Sequence, residues 1–118
     1  MTTDKTAAAV SDVAAEAIRD LNHLTRSARE GFEYPADAYS TVANLAAMAA
    51  RLPQALDQLA AFIKGLEESG RLRSDKDTLA DDLEATYAGL TIAAGAAKTL
   101  QGALDRAHNG LGPIAYKE

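Results

Sequence analysis

Two Asp-x-x-His pairs, Asp20 with His23 and Asp105 with His108, come nearest to chemistry in this sequence. Three residues apart on a helix, a carboxylate and an imidazole share one face. Carboxylate-x-x-His pairs on facing helices hold the metals of di-iron four-helix bundles. If the chain folds as three long helices, both pairs lie toward the same end. The apolar stripes described below argue against a metal, because they put His23 and Asp105 on outer positions and leave only Asp20 and His108 beside the core. The middle of the chain offers no matching core-facing carboxylate, and aspartate stands where di-iron bundles use glutamate. Surface ion pairs and no metal are the expectation.

Other catalytic arrangements are missing too. The chain has no cysteine, which removes thiol nucleophiles, thiolate metal sites and disulfides. It has no nucleophile elbow, and long parallel helices with alanine-rich faces provide no evident cleft. Gly65, Gly70, Gly89, Gly95 and Gly102 form neither G-x-G-x-x-G nor a Walker loop. The reading is a non-enzymatic protein without a cofactor. A net charge of −5 and a pI near 5.0 repel phosphate backbones and anionic lipid. The basic candidates Lys64, Arg71, Arg73 and Lys76 are interleaved with Glu67, Glu68, Asp75 and Asp77, while Arg19, Arg26 and Arg29 are spread along the first helix. No apolar run approaches the roughly 18 to 20 residues of a membrane span. The start, MTTDKTAAAV, lacks the apolar region of an export signal, so cytoplasm is the expected location.

These residues need helices to hold them. Of the 118 residues 47% are hydrophobic but only 5% aromatic, and the apolar content is mostly alanine and leucine, the strongest helix formers. An all-α single domain follows, with helices over about 6–29, 36–69 and 75–109 and a loosely held tail at 110–118. Asp4 or Thr6 caps the first helix, and Arg26 and Arg29 suit its C-terminal dipole. Pro35 fits the first position of the second helix, with Asp37 in its first turn. Gly70 ends that helix. Ser74 and Asp77 have the spacing of a capping box for the third, and Asp81, Asp82 and Glu84 favour its start. Phe32, Tyr34 and Tyr39 gather at the first connector, to cap the core or to offer an aromatic docking spot.

Apolar residues recur at alternating steps of three and four. The first helix has Val10, Ala14, Ala17, Leu21, Leu24 and Ala28. The second has Val42, Leu45, Ala49, Leu52, Leu56, Leu59, Ile63 and Leu66, in phase through Pro53. The third has Leu79, Leu83, Thr86, Leu90, Ala93, Ala97, Leu100, Leu104, Ala107 and Leu111. Continuity through Pro53 favours one kinked helix over a break that would make a four-helix bundle. The architecture expected is an elongated up-down-up antiparallel bundle of three long helices.

Two uncharged runs remain to be covered: AYSTVANLAAMAA, Ala38 to Ala50, and ATYAGLTIAAGAA, Ala85 to Ala97. Beyond the core stripe, Ala85, Ala88, Ile92, Gly95, Thr99 and Gly102 make a second stripe of small residues. A helix uncharged all round is usually buried all round. The candidate interface is therefore Ala85, Ala88, Ile92 and Gly95, with Ala43, Ala47 and Ala50, covered by a second copy in a dimer or by a helical partner protein. A bland exposed helix face is the alternative. Two further readings stay open: a DNA-associated regulator working through the Lys64–Lys76 end, and a small-molecule sensor using a gap at Pro53.

The run YPADAYSTVANLAAMAARLPQALDQLAAFI, residues 34–63, resembles segments of small Ala-rich helical proteins of high-GC actinobacteria, carried by Tyr34-Pro35, Leu52-Pro53 and the Ala/Leu pattern. That resemblance implies a helical fold and no particular activity. The Trp-x-Gly turn of the secreted helical-hairpin proteins of those bacteria is missing, since the chain has no tryptophan.

Overall fold

A computed structural model describes residues 5–26 and 31–118. Three helices make an all-α bundle: α1 (Ala7–Leu24), α2 (Pro35–Glu68) and α3 (Leu79–Leu111), with no strand among the described residues. Thr6 caps α1, its Oγ1 accepting from the Ala9 amide at 3.0 Å. The helix ends at Leu24, earlier than about residue 29, with the Thr25 amide and hydroxyl both donating to the Leu21 carbonyl, at 2.9 and 2.8 Å. The proposed cap Asp4 and the proposed helix-end residues Ala28 and Arg29 lie outside the described residues.

α2 begins at Pro35, where the missing amide costs nothing. Asp37 reaches back to accept from the Glu33 and Tyr34 amides at 2.7 and 2.8 Å. The helix then runs unbroken through Pro53, as one element of 34 residues. Gly70, with φ of 74°, closes it in the left-handed region that glycine occupies without strain. The capping box expected at Ser74 and Asp77 does not form. Asp77 is itself left-handed, φ 58°, so α3 starts only at Leu79 rather than at about residue 75. Ser74 and Thr78 instead both donate to the Asp82 carboxylate, at 2.5 and 3.1 Å.

α2 and α3 form an antiparallel hairpin whose buried residues are all alanines: Ala46, Ala49, Ala94 and Ala97. Around them the half-buried positions correct the expected stripes by single residues. On α3, Tyr87, Gln101 and His108 face α2, while Thr86, Leu100 and Ala107 are exposed. On α2, Pro53 and Ala60 face inward, while Leu52 and Leu59 are exposed. Consecutive residues sit about 100° apart on a helix, so a one-residue slip moves a side chain from the core to its rim. Alanine marks the inner line here because it lets two backbones approach where leucine would hold them apart.

α1 stands off the hairpin. None of its Cα atoms comes within 8 Å of one in α2 or α3. Its Ala17, Ile18 and Leu21 face Thr41, Asn44, Leu45 and Met48 across an open cleft of about 320 Å³. The tail, by contrast, is tied down. The Tyr116 hydroxyl donates to the Glu33 carbonyl, and the Tyr116 ring meets Tyr34 edge-on at 5.9 Å.

Two substitutions follow from this geometry. Ala49 is 1% exposed, so Ala49→Leu is expected to overpack the hairpin and lower stability by about 1–3 kcal/mol in urea denaturation. Asp77→Gly relieves a left-handed non-glycine residue and is expected to raise stability in the same measurement by roughly 1 kcal/mol.

Candidate interaction surface

The residues singled out for metal chemistry do not assemble. Asp20, His23 and Asp105 are exposed, no ion pair joins Asp20 to His23 or Asp105 to His108, and no metal-holding cluster occurs among the described residues. The expected surface ion pairs are therefore absent as well. His108 turns inward and stacks on Tyr39, ring centroids 3.9 Å apart at 27°. That stack and the Tyr34–Tyr116 contact use the connector aromatics within the chain, so the expected docking spot is partly filled by the chain's own tail.

Three of the basic candidates are paired. Lys64 lies 3.5 Å from Glu67, Arg73 2.9 Å from Asp75, and Arg19 3.9 Å from Glu16. Such exposed pairs contribute little stability, but they dilute the local positive field. No helix is long and apolar enough to cross a membrane, among the described residues.

One polar cluster escaped sequence reasoning. The Tyr87 hydroxyl donates to Glu67 Oε1 at 2.7 Å, joining α3 to α2 near the turn. Lys64 Nζ approaches the same oxygen at 3.5 Å and lies 5.7 Å from the Tyr87 ring centre. Burial, then the hydrogen bond to Glu67, pushes the Tyr87 phenol up to about 12, while that same bond holds Glu67 below its ordinary value. Bonds from the Tyr34 and Glu33 amides lower Asp37 likewise. Phasing the α3 stripe on Thr86 hid Tyr87; phasing it on Ala94 and Ala97 exposes the pairing.

The sequence-derived interface residues fall into two places. Ala85, Ala88, Ile92 and Gly95 are all exposed on the outside of α3, with Ile92 71% accessible. A Cβ added at Gly95 or Gly102 would meet nothing within 4 Å, so no close approach within the chain uses those glycines. Ala43, Ala47 and Ala50 are elsewhere, lining with Ala46, Gln101, Asp105 and His108 an open groove of about 250 Å³ between α2 and α3. Neither this groove nor the α1 cleft is lined by Pro53.

A third surface emerges only in three dimensions. Leu45, Met48, Leu52, Ala55, Leu59 and Phe62 recur at steps of three and four beside the inner line of α2. The first two lie against the α1 cleft. Leu52, Leu59 and Phe62 are 38%, 46% and 63% exposed. Sequence reading had merged Leu45, Leu52 and Leu59 into the core stripe, and Phe62 was the residue that could have separated them.

Comparisons with protein-family models, with curated proteins and with solved structures find no match to this chain. The surface must therefore be interpreted from its own physics.

Stability should depend on pH at both extremes. Asp37 and Glu67 have lowered pKa values when folded, so their contribution is present above the ordinary carboxylate range and lost as pH falls through the folded values. Tyr87 is raised from 10.0 to about 12. Its contribution is complete below pH 10 and disappears as pH rises through that window, where the unfolded chain releases the proton first. Thermal melts across pH should show both losses, and Tyr87→Phe should flatten the alkaline one.

Proposed function

We propose that this protein is a non-enzymatic interaction or scaffold protein that associates with itself through helix faces its own fold leaves uncovered. The observation carrying this reading is its surface area. The chain exposes 9316 Å², whereas a compact monomer of 12.4 kDa exposes about 6,100 Å². The radius of gyration is 19.3 Å, against about 13.5 Å for a compact domain of this length.

An excess of roughly 3,000 Å² per chain is comparable to what the larger obligate interfaces bury in total. Among the described residues only four, all alanines, are buried, and alanines supply little hydrophobic stabilisation. Thirteen large apolar side chains remain exposed, enough to form the interior of an assembly. The outer α3 face around Ile92 and the α2 stripe around Leu59 are the two candidate contact surfaces.

Light scattering over a concentration range tests the reading. The expected mass is a multiple of 12.4 kDa, with dissociation only on dilution. A monomer at every concentration would remove self-association.

A further inference from the structure

We propose that α1 is a hinged strap that closes over the exposed apolar stripe of α2 within its own chain. This goes beyond the self-association reading and does not depend on it.

α1 has an apolar face to bury and buries almost none of it. With successive residues turned by about 100°, Val10, Val13, Ala17, Ile18, Leu21 and Leu24 fall within one arc of about 140°. Asp12, Glu16, Arg19 and His23 gather on the opposite side. No residue of α1 is buried; Ile18 and Leu21 are half-buried, while Val10 and Val13 are 54% and 67% exposed. Among the described residues, the hydrogen bonds and the ion pair of α1 stay within its own segment. Helices in proteins take most of their stability from packing such a face.

The cleft fixes where that face lands. Ile18 and Leu21 already look across at Thr41, Asn44, Leu45 and Met48. In an antiparallel closure that keeps this pairing, each residue toward the start of α1 advances one residue along α2. Leu21 over Asn44 and Ala17 over Met48 then bring Val13 onto Leu52 and Val10 onto Ala55. Leu52 is 38% exposed and continues the line of Leu45 and Met48 beyond the cleft. Closing therefore removes apolar surface from water without burying Asp12, Glu16, Arg19 or His23.

A pivot stands at the near end. Gly31 lies against the last residue of α1: a Cβ there would be 2.6 Å from the Leu24 carbonyl oxygen and 3.2 Å from Leu24 Cβ. Any larger residue must push the two apart. The contact holds the C-terminal end of α1 beside the start of α2, and the exposed N-terminal half is the part that swings. Closure covers Leu52 and leaves Leu59 and Phe62 at its edge, so α1 sets how much of the stripe is offered outward.

The cysteine-free chain provides the test. No α1 Cα atom lies within 8 Å of one in α2, and a disulfide needs Cα atoms within about 7 Å. A bond between Val13→Cys and Leu52→Cys therefore forms only when α1 closes. In dilute native buffer, with helicity checked by circular dichroism, this pair is expected to oxidise to a monomer-sized, internally bonded chain about tenfold faster than Val13→Cys with Ile92→Cys, through its higher effective concentration. Adding Gly31→Ala is expected to slow the reaction severalfold. Equal rates for the two pairs, or bonds only between chains at every dilution, overturn the closure, and an unchanged rate with Gly31→Ala overturns the pivot. Light scattering on the parent decides self-association separately. A monomeric parent whose Val13–Leu52 pair closes removes that reading and keeps this one, and an oligomeric parent whose pair does not close does the reverse.

Discussion

The close approach of α2 and α3 over Ala46, Ala49, Ala94 and Ala97 is the constraint on which the other features depend. At the closest-packed positions both helices present alanine, whose small side chain lets the backbones approach. The cost is a thin core. Removing alanines from water contributes far less than removing leucines, and the leucines beside the line are left half-buried or exposed. The chain therefore gains a close helix–helix approach and little hydrophobic stability.

Polar and aromatic contacts supplement this core at the two ends of the hairpin. Near the turn, Tyr87 bonds Glu67 with Lys64 alongside. At the open end, Tyr39 stacks on His108 and Tyr116 meets Tyr34. Each contact joins residues distant in sequence and adds a fixed point that sliding one helix along the other would break. Alanine faces alone are smooth and specify register weakly. The residues that might have served catalysis, His108 above all, are thus explained as parts of these clamps.

A thin core and a detached α1 leave the apolar surface distributed over three outer faces. α1 faces α2 at Thr41–Met48, through Ala17, Ile18 and Leu21, across an open cleft. The groove at Ala43, Ala47 and Ala50 is bordered by Asp105 and His108, which makes it more polar than the stripe. These differences separate the surfaces: one is mixed, one is smooth with a single isoleucine, and one carries leucine and phenylalanine at regular spacing. The absence of a fully buried large side chain among the described residues is what gives these outer faces their importance.

The sequence by itself determined the all-α class, the start of α2 at Pro35 and its close at Gly70, and its unbroken stripe favoured three helices with α2 passing through Pro53 over a break there. Those follow from local backbone chemistry and from a period that any helical chain must show. Tertiary structure decided which of two adjacent stripes faces inward. Val42, Leu45, Ala46 and Ala49 satisfy either phase, and only the packed partner selects Ala46 over Leu45 as the innermost residue. It also decided the start of α3, where a left-handed Asp77 overrode a local capping signal. The tail was decided in the same way, because the contact from Tyr116 to Glu33 spans most of the chain. The candidate surface at Ile92 was legible because its residues lack any charge, whereas the Leu52–Phe62 stripe was hidden: its leucines had been assigned to a core too narrow to hold them.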